Sequence, residues 1–114
     1  MNVMLGLDPA DAAGWILQKL DWKRVKELRF QLPALCSALV QGQVDYLHAC
    51  GALDGSGDTG EGEYDEDEAV EFLLDALLRA YPADDGTAAH YCVLIDQFLP
   101  LFDDYLLSVG LLTL

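Results

Sequence analysis

Positive charge is scarce in this chain: six lysines and arginines stand against 20 aspartates and glutamates, a formal net charge of -14 over 114 residues. Binding phosphate needs a basic footprint, so the composition argues against nucleic acid as a direct partner and favours a basic protein. Long apolar runs are also missing. The most apolar stretch, Tyr91 to Leu114, is interrupted by Asp96, Asp103 and Asp104, each costly at bilayer depth, so no membrane-spanning segment is expected. The start, Met-Asn-Val-Met-Leu-Gly-Leu-Asp, lacks the basic residues and small-residue cleavage site of a secretory signal, and a cytoplasmic location is expected. Cysteines 36, 50 and 92 are odd in number and lie in apolar helical stretches, which reads as free buried thiols in a reducing compartment rather than a disulfide framework.

What the chain does have is apolar content: 53% of its residues, with a mean hydropathy of +0.19, high for a single domain this small and this charged. Part of that surface is expected to be buried against a partner or a second copy of the chain. The charge is lopsided. Residues 45–104 hold 16 of the 20 acids and one base, Arg79. Elsewhere five bases, Lys19, Lys23, Arg24, Lys26 and Arg29, balance four acids.

The hydrophobic spacing predicts an all-α bundle of four main helices, about 22–32, 34–50, 66–81 and 88–109, plus a short amino-terminal helix at about 9–20. Asp8-Pro9 is a cap followed by a first-turn proline, and Asp21 is a second cap. Trp22, Val25, Leu28, Arg29 and Leu32 recur at helical spacing until Pro33, which is expected to end or kink that helix. Leu35, Cys36, Leu39, Val40, Val44, Leu47 and Cys50 form the next buried face, closed by Gly51. Residues 54–66 are glycine-rich and acidic, with too little apolar content to fold alone, and are read as a mobile linker within the one domain, 1–114. The clearest helix carries Val70, Leu73, Leu74, Leu77, Leu78 and Tyr81 on one stripe, with Asp65 to Glu68 at its amino end. Thr87 is positioned to cap the last helix, which turns Tyr91, Leu94, Ile95, Phe98, Phe102, Tyr105 and Val109 inward and is expected to bend at Pro100.

Asp45-Tyr46-Leu47, with Gly51 and Leu53, recurs at one constant offset as Asp104-Tyr105-Leu106, with Gly110 and Leu112. Two readings are open: a pair of similar helical hairpins, or reuse of a good helix-ending signal.

Candidate chemistry fails on spacing. His48-Ala49-Cys50 and His90-Tyr91-Cys92 place their members two apart on helices, about 200° around the axis, so neither pair readily chelates one ion. No cysteine has the cationic surroundings that activate a thiolate. Ser37, Ser56 and Ser108 sit in no strand-turn-helix elbow. The stretch from Asp54 resembles an EF-hand loop through Ser56, Asp58 and Asp65, but Thr59 stands where glycine is required, Glu61 where the aliphatic residue belongs, and an aspartate replaces the terminal glutamate. No catalytic residue, metal or cofactor is therefore assigned.

The remaining candidate is the acidic run itself. Glu61, Glu63, Asp65, Glu66, Asp67, Glu68 and Glu71 crowd their carboxylates into one short stretch, and Asp75 continues along the same helix. Such a field steers and aligns a positive surface. The expected function is a non-catalytic inhibitor of the immunity, antitoxin or nucleic-acid-mimic type, covering the basic surface of a toxin or nucleic-acid-acting enzyme. The alternative is a chaperone or assembly adaptor binding through apolar surface, with Phe72 and Leu101 as exposed candidates. The basic residues at 19–29 are expected to pair with carboxylates of the chain or of a dimer mate.

Overall fold

Asp8 takes an extended conformation and its carboxylate accepts from the Ala10 and Asp11 N–H groups at 3.1 and 3.2 Å, opening α1 (Pro9–Lys19) where Pro9 needs no donor. The same device opens α3 (Glu66–Ala80), where Asp65 accepts from Asp67 and Glu68 N–H at 2.9 and 3.2 Å. Between them lies α2 (Leu32–Ala49), and α4 (Asp85–Ser108) closes the chain. These elements come from a computed structural model that describes residues 2–112. It contains only helices and one isolated bridge, Leu53 with Thr59, among those residues.

The chain between α1 and α2 departs from the predicted helix at 22–32. Trp22–Leu28 is a 3-10 helix interrupted at Val25, whose φ of -130° is not helical. Val25 and Leu28 are buried there, whereas Trp22, which recurs with them at helical spacing, is 51% exposed. Pro33 begins the next helix instead of ending this one, because the first turn is where its missing N–H costs no hydrogen bond. The Gln97 side chain ties the segment to α4 at two points, accepting from Asp21 N–H at 2.9 Å and donating to the Asp21 carbonyl at 3.3 Å. Two smaller corrections fall on α4. Asp84, not Thr87, is its cap, accepting from Thr87 N–H at 2.8 Å, and Val109 is 45% exposed instead of buried. The helix continues through Pro100, which deprives the carbonyl of Asp96 of its helical donor on an exposed face.

Each helix contacts its sequence neighbours, and α4 returns to contact α1. The carboxyl end of α2 lies beside the amino end of α3, and that of α4 beside the amino end of α1, so the helices run up, down, up, down. Two hairpins follow one plan. On α2, Leu32, Leu35, Cys36, Leu39, Val40, Gln43 and Tyr46 are buried; at a constant offset along the chain, so are Tyr91, Leu94, Ile95, Phe98, Leu99, Phe102 and Tyr105 on α4. Ala12, Ile16 and Leu20 correspond in the same way to the equally buried Ala69, Leu73 and Leu77. Each fully buried leucine, isoleucine or phenylalanine contributes roughly 1.5–3 kcal/mol by its removal from water. The hairpins also end alike: Leu53 N–H donates to the Leu47 carbonyl at 3.0 Å, as Leu112 N–H does to Leu106 at 3.2 Å. Gly51 and Gly110 supply the left-handed turns, with φ of 80° and 78°.

Candidate acidic interface

The acidic site begins in the loop after α2. Asp54 Oδ1 accepts from Ser56 N–H, Ser56 Oγ and Asp58 N–H at 2.9, 2.7 and 3.1 Å. These bonds, with the Ser56 hydroxyl first, hold the Asp54 carboxyl below its ordinary pKa. Leu53, Gly60 and Gly62 are tied back to the end of α2 through Leu47, Ala52 and Gly51. The amino-terminal segment lies over this loop: Leu5 N–H donates to the Gly57 carbonyl at 2.9 Å, and His48 Nε2–H to the Val3 carbonyl at 2.6 Å. Residues 54–60 are thus a hydrogen-bonded turn with one Asp54 oxygen committed to local donors, and no group of three or more His, Cys, Asp or Glu among the described residues is gathered as a metal would require. His90 faces Glu27 at 3.7 Å, so the two His-x-Cys pairs are not brought together.

All eight predicted acids, Glu61, Glu63, Asp65, Glu66, Asp67, Glu68, Glu71 and Asp75, are exposed, but three have structural work. Asp65 caps α3. Glu68 meets the buried Tyr46 hydroxyl, which lies 3.1 Å from Glu68 Oε2 and 3.0 Å from the Asp65 carbonyl. Burial first, and then the Glu68 carboxylate, raise the pKa of that phenol. Asp75 pairs with Arg79 one turn on, an exposed pair of small energetic weight. Glu61, Glu63, Glu66, Asp67 and Glu71 have no hydrogen-bond or ion-pair partner for their carboxylates among the described residues.

Sequence reasoning missed that α4 extends this field. The exposed Asp103 carboxyl is raised above its ordinary value, by partial desolvation first and then by the charges of Glu66 and Asp104. The available signal was the short connection between α3 and α4, residues 81–84, which implies antiparallel helices and so brings the last acids of one beside the first acids of the other.

The opposite character appears around residues 19–30. None of Lys19, Lys23, Arg24, Lys26 and Arg29 forms an ion pair among the described residues, contrary to the expected pairing within the chain. Lys19 lies 5.4 Å from the Trp15 ring centre and Arg29 4.7 Å from that of Phe30, within cation–π range. Phe30 is 87% exposed. The apolar candidates named from sequence are instead half-buried: Phe72 packs against Tyr46 with tilted rings whose centres lie 5.5 Å apart, and Leu101 rests on the core.

Compared with known proteins, the chain matches no family, no curated protein and no solved structure.

Proposed function

We propose that the protein is a non-catalytic inhibitor, of the immunity, antitoxin or nucleic-acid-mimic type, that covers the basic surface of a toxin or nucleic-acid-acting enzyme with its acidic face. The observation that carries the reading is the set of five unpartnered carboxylates, Glu61, Glu63, Glu66, Asp67 and Glu71, exposed on and just before the first turns of α3. Uncompensated like charges repel one another, and a cationic surface relieves that repulsion while being steered toward it. Asp65 and Glu68 contribute charge as well, but their bonds to α3 and Tyr46 make them part of the scaffold.

The test is capture from a native lysate by the intact chain and by a variant with Glu61, Glu63, Glu66 and Glu71 changed to Gln and Asp67 to Asn. The intact chain is expected to retain a basic protein that elutes as salt is raised, and the variant to lose it. Retention unchanged by both substitution and salt contradicts the reading.

A second reading has its own observation. Trp22 and Phe30 expose large rings beside the unpaired bases, which suits a chaperone or assembly adaptor that holds a partner through apolar contact. Binding of that kind persists in high salt and is lost when Trp22 and Phe30 are changed to Ser.

A further inference from the structure

A cleft of about 360 Å³ opens where the loop after α2 meets the carboxyl half of α4, with Gln43, Leu47, Tyr64, Phe102, Asp103 and Leu106 among its walls. That volume lies in the lower range of small-ligand pockets, and the lining is mainly apolar with a few polar groups, as such pockets are. Gln43 is the informative residue. Only 3% of it is exposed, and its Nε2 donates to the Tyr64 hydroxyl at 3.1 Å. Its Oε1 has no hydrogen-bond partner, and it is the one buried side-chain polar atom in that condition among the described residues.

The plan shared by the hairpins shows that the fold does not call for a glutamine here. Of the buried positions paired between α2 and α4, Gln43 is the sole amide, and its counterpart, Phe102, is a fully buried ring. A buried acceptor left unpaired destabilises the folded chain, and local departures of this kind concentrate at functional sites. The charged wall is Asp103, an exposed residue whose ionised carboxylate is disfavoured by partial desolvation and by the nearby Glu66 and Asp104. An entering cation relieves that strain, whereas an anion aggravates it.

We propose that this cleft binds a cationic group on a short apolar stem, an alkylguanidinium or alkylamine, whose charge is set against Asp103 and whose N–H donates to Gln43 Oε1 once a turn of that side chain uncovers the oxygen. The stem lies along Leu47, Phe102 and Leu106. The cation can belong to a free small molecule or to an arginine or lysine side chain of a protein. Recognition in the cleft is separate from steering by the acidic face, so either can fail without the other.

The probe is N-butylguanidinium, titrated into the isotopically labelled full chain and followed by amide and side-chain NMR shifts, with N-butylurea as its neutral isostere. Shifts are expected at the Gln43 side-chain amide, Tyr64 and Leu106. The cation is expected to bind at least tenfold more tightly than the urea. Gln43→Leu, which restores an apolar residue at that layer, should remain folded and weaken binding at least fivefold; Gln43→Met provides the same comparison with a more adaptable side chain. Asp103→Asn should remove the preference for charge. Neutralising Asp67 and Glu71, carboxylates on α3 that are not among the cleft's walls, should leave the butylguanidinium affinity within twofold, even where it weakens capture of a basic protein. An acetylated pentapeptide with a central arginine that binds more tightly than butylguanidinium assigns the cleft to a protein side chain, and the reverse order assigns it to free cations. Equal affinity for the urea and the guanidinium, shifts confined to other surfaces, or unchanged binding in both Gln43 variants overturns the proposal.

Discussion

Tyr105 shows how one side chain in this fold joins burial to polarity. It is 3% exposed, yet its hydroxyl donates to Asp11 Oδ2 at 2.6 Å, joining the two ends of the sequence. Burial, and then the bond to Asp11, push the phenol up to about 12 from its ordinary 10.0. A raised acid favours its neutral form in the folded state, so this contribution to stability is complete below pH 10 and is lost as pH rises toward about 12. Denaturant melts at rising pH should therefore show stability falling through that window. Tyr105→Phe should cost about 1.5 kcal/mol at neutral pH, the lower end for a hydrogen bond to a charged group, and flatten the alkaline fall without removing it. Tyr46 and Tyr91 are also raised by burial and titrate in the same direction. The cysteines differ by the same logic. Burial pushes the Cys36 thiol up to about 11, while Cys50 and Cys92 are half-buried. Iodoacetamide followed by peptide mass spectrometry should find Cys36 the slowest to react, since the thiolate is the reactive form. Neither the Tyr105 nor the Tyr46 hydroxyl bond was legible in the sequence, because each joins residues whose proximity depends on how the helices assemble.

At the level of elements, what local chemistry determines was readable and what packing determines was not. The helix at Glu66–Ala80 was legible because its cap, its acidic first turn and its stripe all point the same way. The segment at Trp22–Leu28 misled because periodicity cannot distinguish an α-helix from a 3-10 helix broken at a buried valine. The recurring helix-ending signal proved to belong to a longer correspondence, with Trp15 against Tyr105 repeating as Phe72 against Tyr46. The two terminating glycines allow that correspondence to be tested. Gly110 has a φ of 78° and open space where a Cβ would lie, so Gly110→Ala should cost roughly 1–2 kcal/mol from the left-handed backbone alone. At Gly51, φ is similar, but a Cβ would come within 3.2 Å of the Gly62 Cα. Gly51→Ala should therefore be the more destabilising of the two in urea melts, and equal costs would show that the loop yields.

Over the whole molecule, measuring 37 × 24 × 24 Å, charge is uneven along the chain, acidic over residues 45–104 and basic and aromatic over 19–30, and no helix among the described residues is long and apolar enough to cross a membrane. That unevenness was legible in the sequence. The enlargement of the acidic field by Asp103 was not, because it arises where α4 passes α3. Position, not total charge, is the central claim, and two variants with equal net charge isolate it. In one, Glu61, Glu63 and Glu71 are neutralised; in the other, Glu27, Asp85 and Asp96, which are exposed elsewhere. The affinity of each for the basic protein captured by the intact chain, measured calorimetrically at fixed ionic strength, should fall at least tenfold in the first and change less than twofold in the second. Equal losses in both variants, or no loss in the first, would contradict an acidic face that acts as a defined binding surface.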